Sequence, residues 1–312
     1  MAEQTRGVTI ADDAIAVERI EIAFHRTLRI PDDGKTYPLP PGLGRFPLRR
    51  ARDFAERLPR SWANDFFLPI YAREALWIGF DAAPWKPNAV KVAAGGVNVV
   101  TGDRFDDTLH DAPQDYIVVP NQPWIDGVKS HEDAIRQFVA MPHGEGYTIE
   151  AQVTGREDIG GLQFVIFEPK AGRFPDEAPP IERTRGVATA AFAMSPVLGA
   201  AVGGMMRQKI YPDPFGIETW DAKSALKLRV HFLQPAVFAL VTGEPMPPTP
   251  VNAREYTNAG FPWFDLYDDA KSDLDPAEAL KQLKSIAEID ESGPDETVDV
   301  DENQVKRLRF DS

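Results

Sequence analysis

Between Ile20 and Phe167 apolar side chains recur at every second position in short runs, and proline or glycine closes most of them. Alternation of this kind buries one face of a pleated strand and wets the other. The 28 prolines and 23 glycines interrupt helices before they grow long. In IEIAF, Ile20, Ile22 and Phe24 alternate with Glu21 and Ala23. EALWIGF, DYIVVP, AIRQFVAMP and LQFVIF read as further strands, and YTIEAQV places Tyr147, Ile149, Ala151 and Val153 on one side. VKVAAGGVNVV carries the hairpin signal, two valine-rich arms around Gly95-Gly96. Such short strands without crossover-length helices between them predict a mainly β, α+β chain. The expected form is an antiparallel β-sandwich or open barrel followed by a small helical C-terminal part.

Four regions are expected. Residues 1–17 are weakly patterned and read as a loose arm, and residues 18–170 as the β-rich domain. Residues 171–287 read as an α/β extension packed on that domain, opened by a proline-rich connector. Within it LKLRVHFL alternates like a strand, and PAVFALVTG is a helix with Pro235 in its first turn and Gly243 past its end. Residues 276–289 predict another helix, capped by Asp275, with Leu280, Leu283, Ile286 and Ala287 on one face. From Glu288 to Glu302 there are eight carboxylates and no basic residue, so residues 288–312 are expected to form a disordered acidic tail.

The formal charge is −14, from 34 basic and 48 acidic residues. Nucleic-acid binding draws on neutralisation by Lys and Arg, so no nucleic acid is expected as partner. The densest basic stretch, Arg45 to Arg60, is interrupted by Asp53 and Glu56. With no cysteine, disulfides, Cys-ligated zinc, iron–sulfur clusters and thiol catalysis are excluded. No secretory signal is visible, which makes the cytoplasm the expected location. The uncharged stretch Gly186–Met206, flanked by Arg183, Arg185, Arg207 and Lys209, has the length of a membrane span. Its alanines, glycines and Pro196 leave few large apolar groups, so a buried small-residue helix or glycine-rich loop is expected instead.

TLRIPDDGKTYPLPPGLGRFPL, NQPWIDG, IRQFVAMPHGEGYTIEAQVTG followed by GGLQ, GGMMRQKIYPDPFG and FPWFDLYDD span most of residues 18 to 270. Together they resemble a protein family of bacteria and fungi to which no activity, fold or catalytic residue is attached. The resemblance implies no reaction. The family pattern has an apolar residue where this chain has His143, which weighs against any scheme built on that histidine.

Three kinds of chemistry can be drawn from the residues. His131, with Glu132 and Asp133, precedes the AIRQFVA strand, and His143 and Glu145 follow it. These are the metal-ligand types of a mononuclear site, without a closed signature such as H-E-x-x-H. Glu74, Asp126, Glu150 and Asp265 lie beside aromatic residues, where burial raises a carboxyl pKa, and any two are candidates for an acid–base pair. Trp85, Trp124 and Trp263 each follow a proline in expected loops, where they stack on a ligand or plug the core. Arg136 stands near Trp124 as a further binding candidate. There is no G-x-S-x-G elbow, no phosphate-binding loop and no dinucleotide fingerprint, so no cofactor is expected. The favoured expectation is a non-catalytic binding or assembly module that contacts a protein or glycan through NQPWIDG, MPHGEGY and FPWFDLYDD. The alternative is a carboxylate-dependent hydrolase, with or without a metal, acting on glycans.

Overall fold

The computed structural model describes residues 7–177, 197–266, 271–291 and 293–308. Its first strands, β1 (Val8–Ala11) and β2 (Ala14–Val17), form a hairpin that continues antiparallel into β3 (Ile20–Thr27). Residues 8–17 are therefore paired chain, correcting the loose arm. Val17 is buried with Ile20, so the apolar alternation begins ahead of β3.

Short strands β4 (Thr36–Tyr37), β5 (Gly42–Arg45), β6 (Arg49–Arg50) and β7 (Phe66–Pro69) lead to β8 (Ala75–Ala82). Next come β9 (Asn88–Ala94), β10 (Val97–Asn98), β11 (Ile117–Val119), β12 (Trp124–Ile125), β13 (Gly127–His131) and β14 (Ala134–Pro142). The later strands are β15 (Leu162–Phe167), β16 (Val197–Arg207), β17 (Leu226–Leu233), β18 (Trp263–Leu266) and β19 (Val305–Leu308). The hairpin expected at Gly95-Gly96 is there: both glycines have positive φ, and Val97 faces Ala94.

Edge to edge, β3, β8, β14, β16, β17, β15 and β9 pair in that order, all antiparallel. β11 adds to the free edge of β9 while β12 pairs with β8, so one segment bridges those two strands. The chain is thus mainly antiparallel β with a few helices, as expected. The boundary expected at residue 170 does not divide it, because β16 and β17 lie inside the sheet between β14 and β15.

Alternation builds the core. Phe24 of β3, Ile78 of β8, Val92 of β9, Phe138 of β14, Phe164 of β15 and Phe232 of β17 share one buried cluster. β16 supplies Leu198, Ala200 and Val202 to it. Its small residues let neighbours approach: a Cβ on Gly204 would stand 2.1 Å from the Pro31 carbonyl oxygen. This strand corrects the helix-or-loop expectation over its length, while residues 186–196 lie outside the described residues. Among the described residues no helix is long and apolar enough to cross a membrane.

Two helix expectations change. YTIEAQV is not a strand: Ile149–Thr154 is helix α1, with the Thr148 hydroxyl accepting the Ala151 N–H and Gly155 closing it at φ 70°. A capping threonine and a left-handed glycine outweigh a short alternation. PAVFALVTG is helix α2 (Pro235–Thr242), ended by left-handed Gly243 as expected. After α3 (Ala253–Asn258), the helix predicted over 276–289 divides into α4 (Glu278–Lys281) and α5 (Ile286–Asp290). Asp275 caps neither; Ala277 stands at the α4 cap, and Ser285 starts α5 through a capping box with Glu288. The expected apolar face survives, since Leu280, Leu283, Ile286 and Ala287 are all buried.

The acidic tail is not disordered where described. Val298 is buried in an outer cluster with Leu28, Ile30, Ile135, Met206 and Trp263, and β19 pairs parallel with β18. The valines interleaved with the carboxylates give this segment its hold.

Candidate functional site

The four candidate carboxylates occupy separate settings, and no two share a partner. Glu74, 1% exposed, accepts from Arg26 Nε at 2.6 Å and from the Tyr71 N–H at 2.9 Å. Burial pushes its carboxyl up to about 7 against the opposing pull of Arg26. Asp126 is equally enclosed, accepting from Gln208 Nε2 at 2.7 Å and from the Trp124 indole, and burial pushes it up to about 7 as well. Glu150 projects from α1 and collects the N–H groups of Asp158, Ile159 and Gly160 at 2.8, 2.9 and 2.8 Å, fixing that loop. Asp265, in β18, accepts from Arg207 Nη1 at 2.8 Å.

Two of the three tryptophans lie in strands, and Trp85 alone sits in a turn as expected. Trp263 is fully buried in β18 and donates to the Thr257 hydroxyl at 3.0 Å. Trp124, in β12, packs on the same outer cluster, while Trp85 is half-buried away from both, with no partner for its indole N–H. Arg136, on β14, pairs with Glu288 at 3.1 Å.

His131 and His143 flank the nine residues of β14, which at the rise of an extended strand puts roughly 30 Å between them. They do not meet at one ion, which corrects the metal candidates. The His131 ring contacts the Ser130 hydroxyl, and burial lowers its pKa. The His143 ring lies against Gly160 and Gly199, and Glu145 is exposed. A different trio, Asp106, His110 and Asp115, brings its ligand atoms within 4.8 Å of one another. The buried Lys91 ammonium already stands among them, 2.7 Å from Asp106 and 2.6 Å from Asp115. It supplies the positive charge this trio requires.

An open cleft of about 440 Å³ lies elsewhere. Three segments bring arginines to it. Arg29 follows the end of β3. Arg73 sits in the tight turn before β8, where its N–H donates to the Ala140 carbonyl at 2.7 Å. Arg254 opens α3, its N–H capped by the Asn252 side chain at 2.8 Å. Ile30, Ala253 and Val298, shared with the outer cluster, form the apolar wall, and Glu74 lies at the base with Arg26 behind it.

Each cleft arginine is met by a carboxylate of the C-terminal segment. Arg29 pairs with Asp295 at 2.9 Å, Arg73 with both oxygens of Asp290 at 2.8 and 3.1 Å, and Arg254 with Glu296. Hydrogen bonds from Arg73 and from the Tyr147 hydroxyl hold the Asp290 carboxyl below the usual range. These arginines are spread over 225 positions of sequence, so no local motif announces them. The one trace in the sequence is the run of carboxylates without basic residues, whose cations come from elsewhere in the chain. No family model matches the chain, and neither does any curated protein or solved structure.

Proposed function

We propose that this protein is a non-catalytic binding module, and that its ligand site is the arginine-lined cleft between β3, the turn before β8 and α3. The ligand is anionic, and the partner is a protein in preference to a glycan. One observation carries this reading: guanidinium groups from three distant segments line one open cleft of about 440 Å³. Guanidinium forks suit carboxylates and other oxyanions, which they grip with two parallel N–H bonds. A hydrolase reading draws on Glu74, whose raised pKa suits a general acid. Against it, one Glu74 oxygen is taken by Arg26 and the other by the Tyr71 N–H, and no second candidate carboxylate shares its surroundings.

Citrate serves as the test probe, a small molecule with three carboxylates. Titrated at low salt and followed by backbone amide NMR, it is expected to give saturable shifts around residues 29–31, 73–75 and 250–254. A dissociation constant of about 1 mM, near −4 kcal/mol, is the scale for a few partly exposed ion pairs. The triple replacement Arg29→Gln, Arg73→Gln, Arg254→Gln is expected to abolish saturation. Equal shifts in that variant, or none in the parent protein, would refute the cleft as the site.

A further inference from the structure

The cleft arginines belong to a longer row, and one chain segment meets all of it. Arg136 on β14 pairs with Glu288, Arg73 with Asp290, Arg29 with Asp295 and Arg254 with Glu296. Four basic residues from four separate segments thus face carboxylates drawn from nine consecutive positions, 288–296. The segment is pinned at both ends by apolar side chains, Ile286 and Ala287 before it and Val298 after it. Between those pins none of the described residues is buried. Its hold on the surface is polar.

That hold is weak for its size. Exposed ion pairs contribute about 0–1 kcal/mol each, and the Glu288 and Glu296 side chains are 53% and 78% exposed. The guanidinium groups are also incompletely used: the Nε atoms of Arg29 and Arg136 are buried and have no hydrogen-bond partner. A carboxylate set to take Nε together with a terminal nitrogen makes two bonds where the present partners make one.

Resting on the cleft reading above, we infer that residues 288–296 are an internal acidic ligand, and that an acidic peptide segment of a partner protein displaces them from the arginine row. The chain itself displays the recognised chemistry: carboxylates carried at intervals on a peptide, four of the five meeting a guanidinium each. A single small anion spans only part of such a row. The tethered segment competes at an effective concentration of about 1 mM. With an intrinsic affinity of about 0.1 mM for the row, it weakens an external peptide roughly tenfold.

Fluorescence anisotropy of fluorescein-labelled hexaglutamate tests this on the full chain. The neutralised variant Asp290→Asn, Asp295→Asn, Glu296→Gln, which keeps Val298 and both apolar pins, is expected to bind the peptide about tenfold more tightly than the parent protein. Labelled hexaglutamine is expected to bind neither. If citrate binds the parent protein but the neutralised variant gains no affinity for hexaglutamate, the internal-ligand inference falls and the cleft reading stands. If neither probe binds, both fall. Hydrogen exchange on the unmutated chain gives a second reading. The Asp295 amide donates to the Asp32 carbonyl at 3.1 Å, and saturating hexaglutamate is expected to speed its exchange. Unchanged or slower exchange of that amide with peptide bound would overturn displacement.

Discussion

Asp126→Asn isolates what one buried charge costs this fold. The Asp126 carboxyl is enclosed between β12 and β13, accepts from Gln208 Nε2 at 2.7 Å, and is pushed by burial up to about 7. An unfolded aspartate titrates near 3.9. Below about pH 4 both states hold the proton and the group is neutral in its effect. From about pH 4 to about 7 the unfolded chain has released the proton and the folded chain keeps it, so stability falls as pH rises. A difference of about three pKa units corresponds to at most about 4 kcal/mol, fully expressed above pH 7. Asparagine does not titrate, and its carbonyl can still accept from Gln208. Glu74, raised in the same direction, is present in both proteins and cancels in the comparison. Urea denaturation is therefore expected to show the variant within about 1 kcal/mol of the parent near pH 4. Near pH 8 it is expected to be more stable by an amount approaching 4 kcal/mol. A difference that stays constant between those pH values would mean the carboxyl is ionised in the folded protein, and the argument from burial would fail.

Glu150→Ala removes the acceptor of three backbone N–H groups and is expected to cost about 3 kcal/mol in urea denaturation, with faster hydrogen exchange at residues 158–160; a loss below 1 kcal/mol would place those amides in water. At Gly127 a Cβ would stand 1.8 Å from the Arg136 carbonyl oxygen, so Gly127→Ala is expected to destabilise by more than about 3 kcal/mol. Near-neutral behaviour there would contradict the β13–β14 register.

Strands were legible in the sequence wherever alternate side chains enter the main core. Ile20, Ile22 and Phe24 point into the main cluster as their alternation demands, and Leu162, Phe164 and Ile166 do the same on β15. Alternation gave way where a local capping signal was stronger than the period. Thr148 and Gly155 turned an alternating stretch into α1, and Ser285 restarted a helix expected to be continuous. On β16 the glycines resemble a loop, and only the neighbours that press against them from elsewhere in the chain make it a strand. For the site, burial of Glu74 and Asp126 was foreseeable from their aromatic surroundings, but their partners Arg26 and Gln208 lie 48 and 82 positions away. Lys91 shows the same limit: a lysine inside a valine-rich strand reads as a solvated residue, yet it is 1% exposed and answers Asp106 and Asp115. Long-range charge pairing has no period to read.

The bare backbone of β16 at Gly204 lets the Pro31 carbonyl rest directly on the strand, and Pro31 is two residues from Arg29 on the rim of the cleft. The rim that carries one guanidinium therefore rests on the bare backbone of a strand that contributes no residue to the cleft lining. A protein engineer who wished to tune the aperture without altering any charge would begin there, treating the missing methyl as a spacer whose addition lifts the rim.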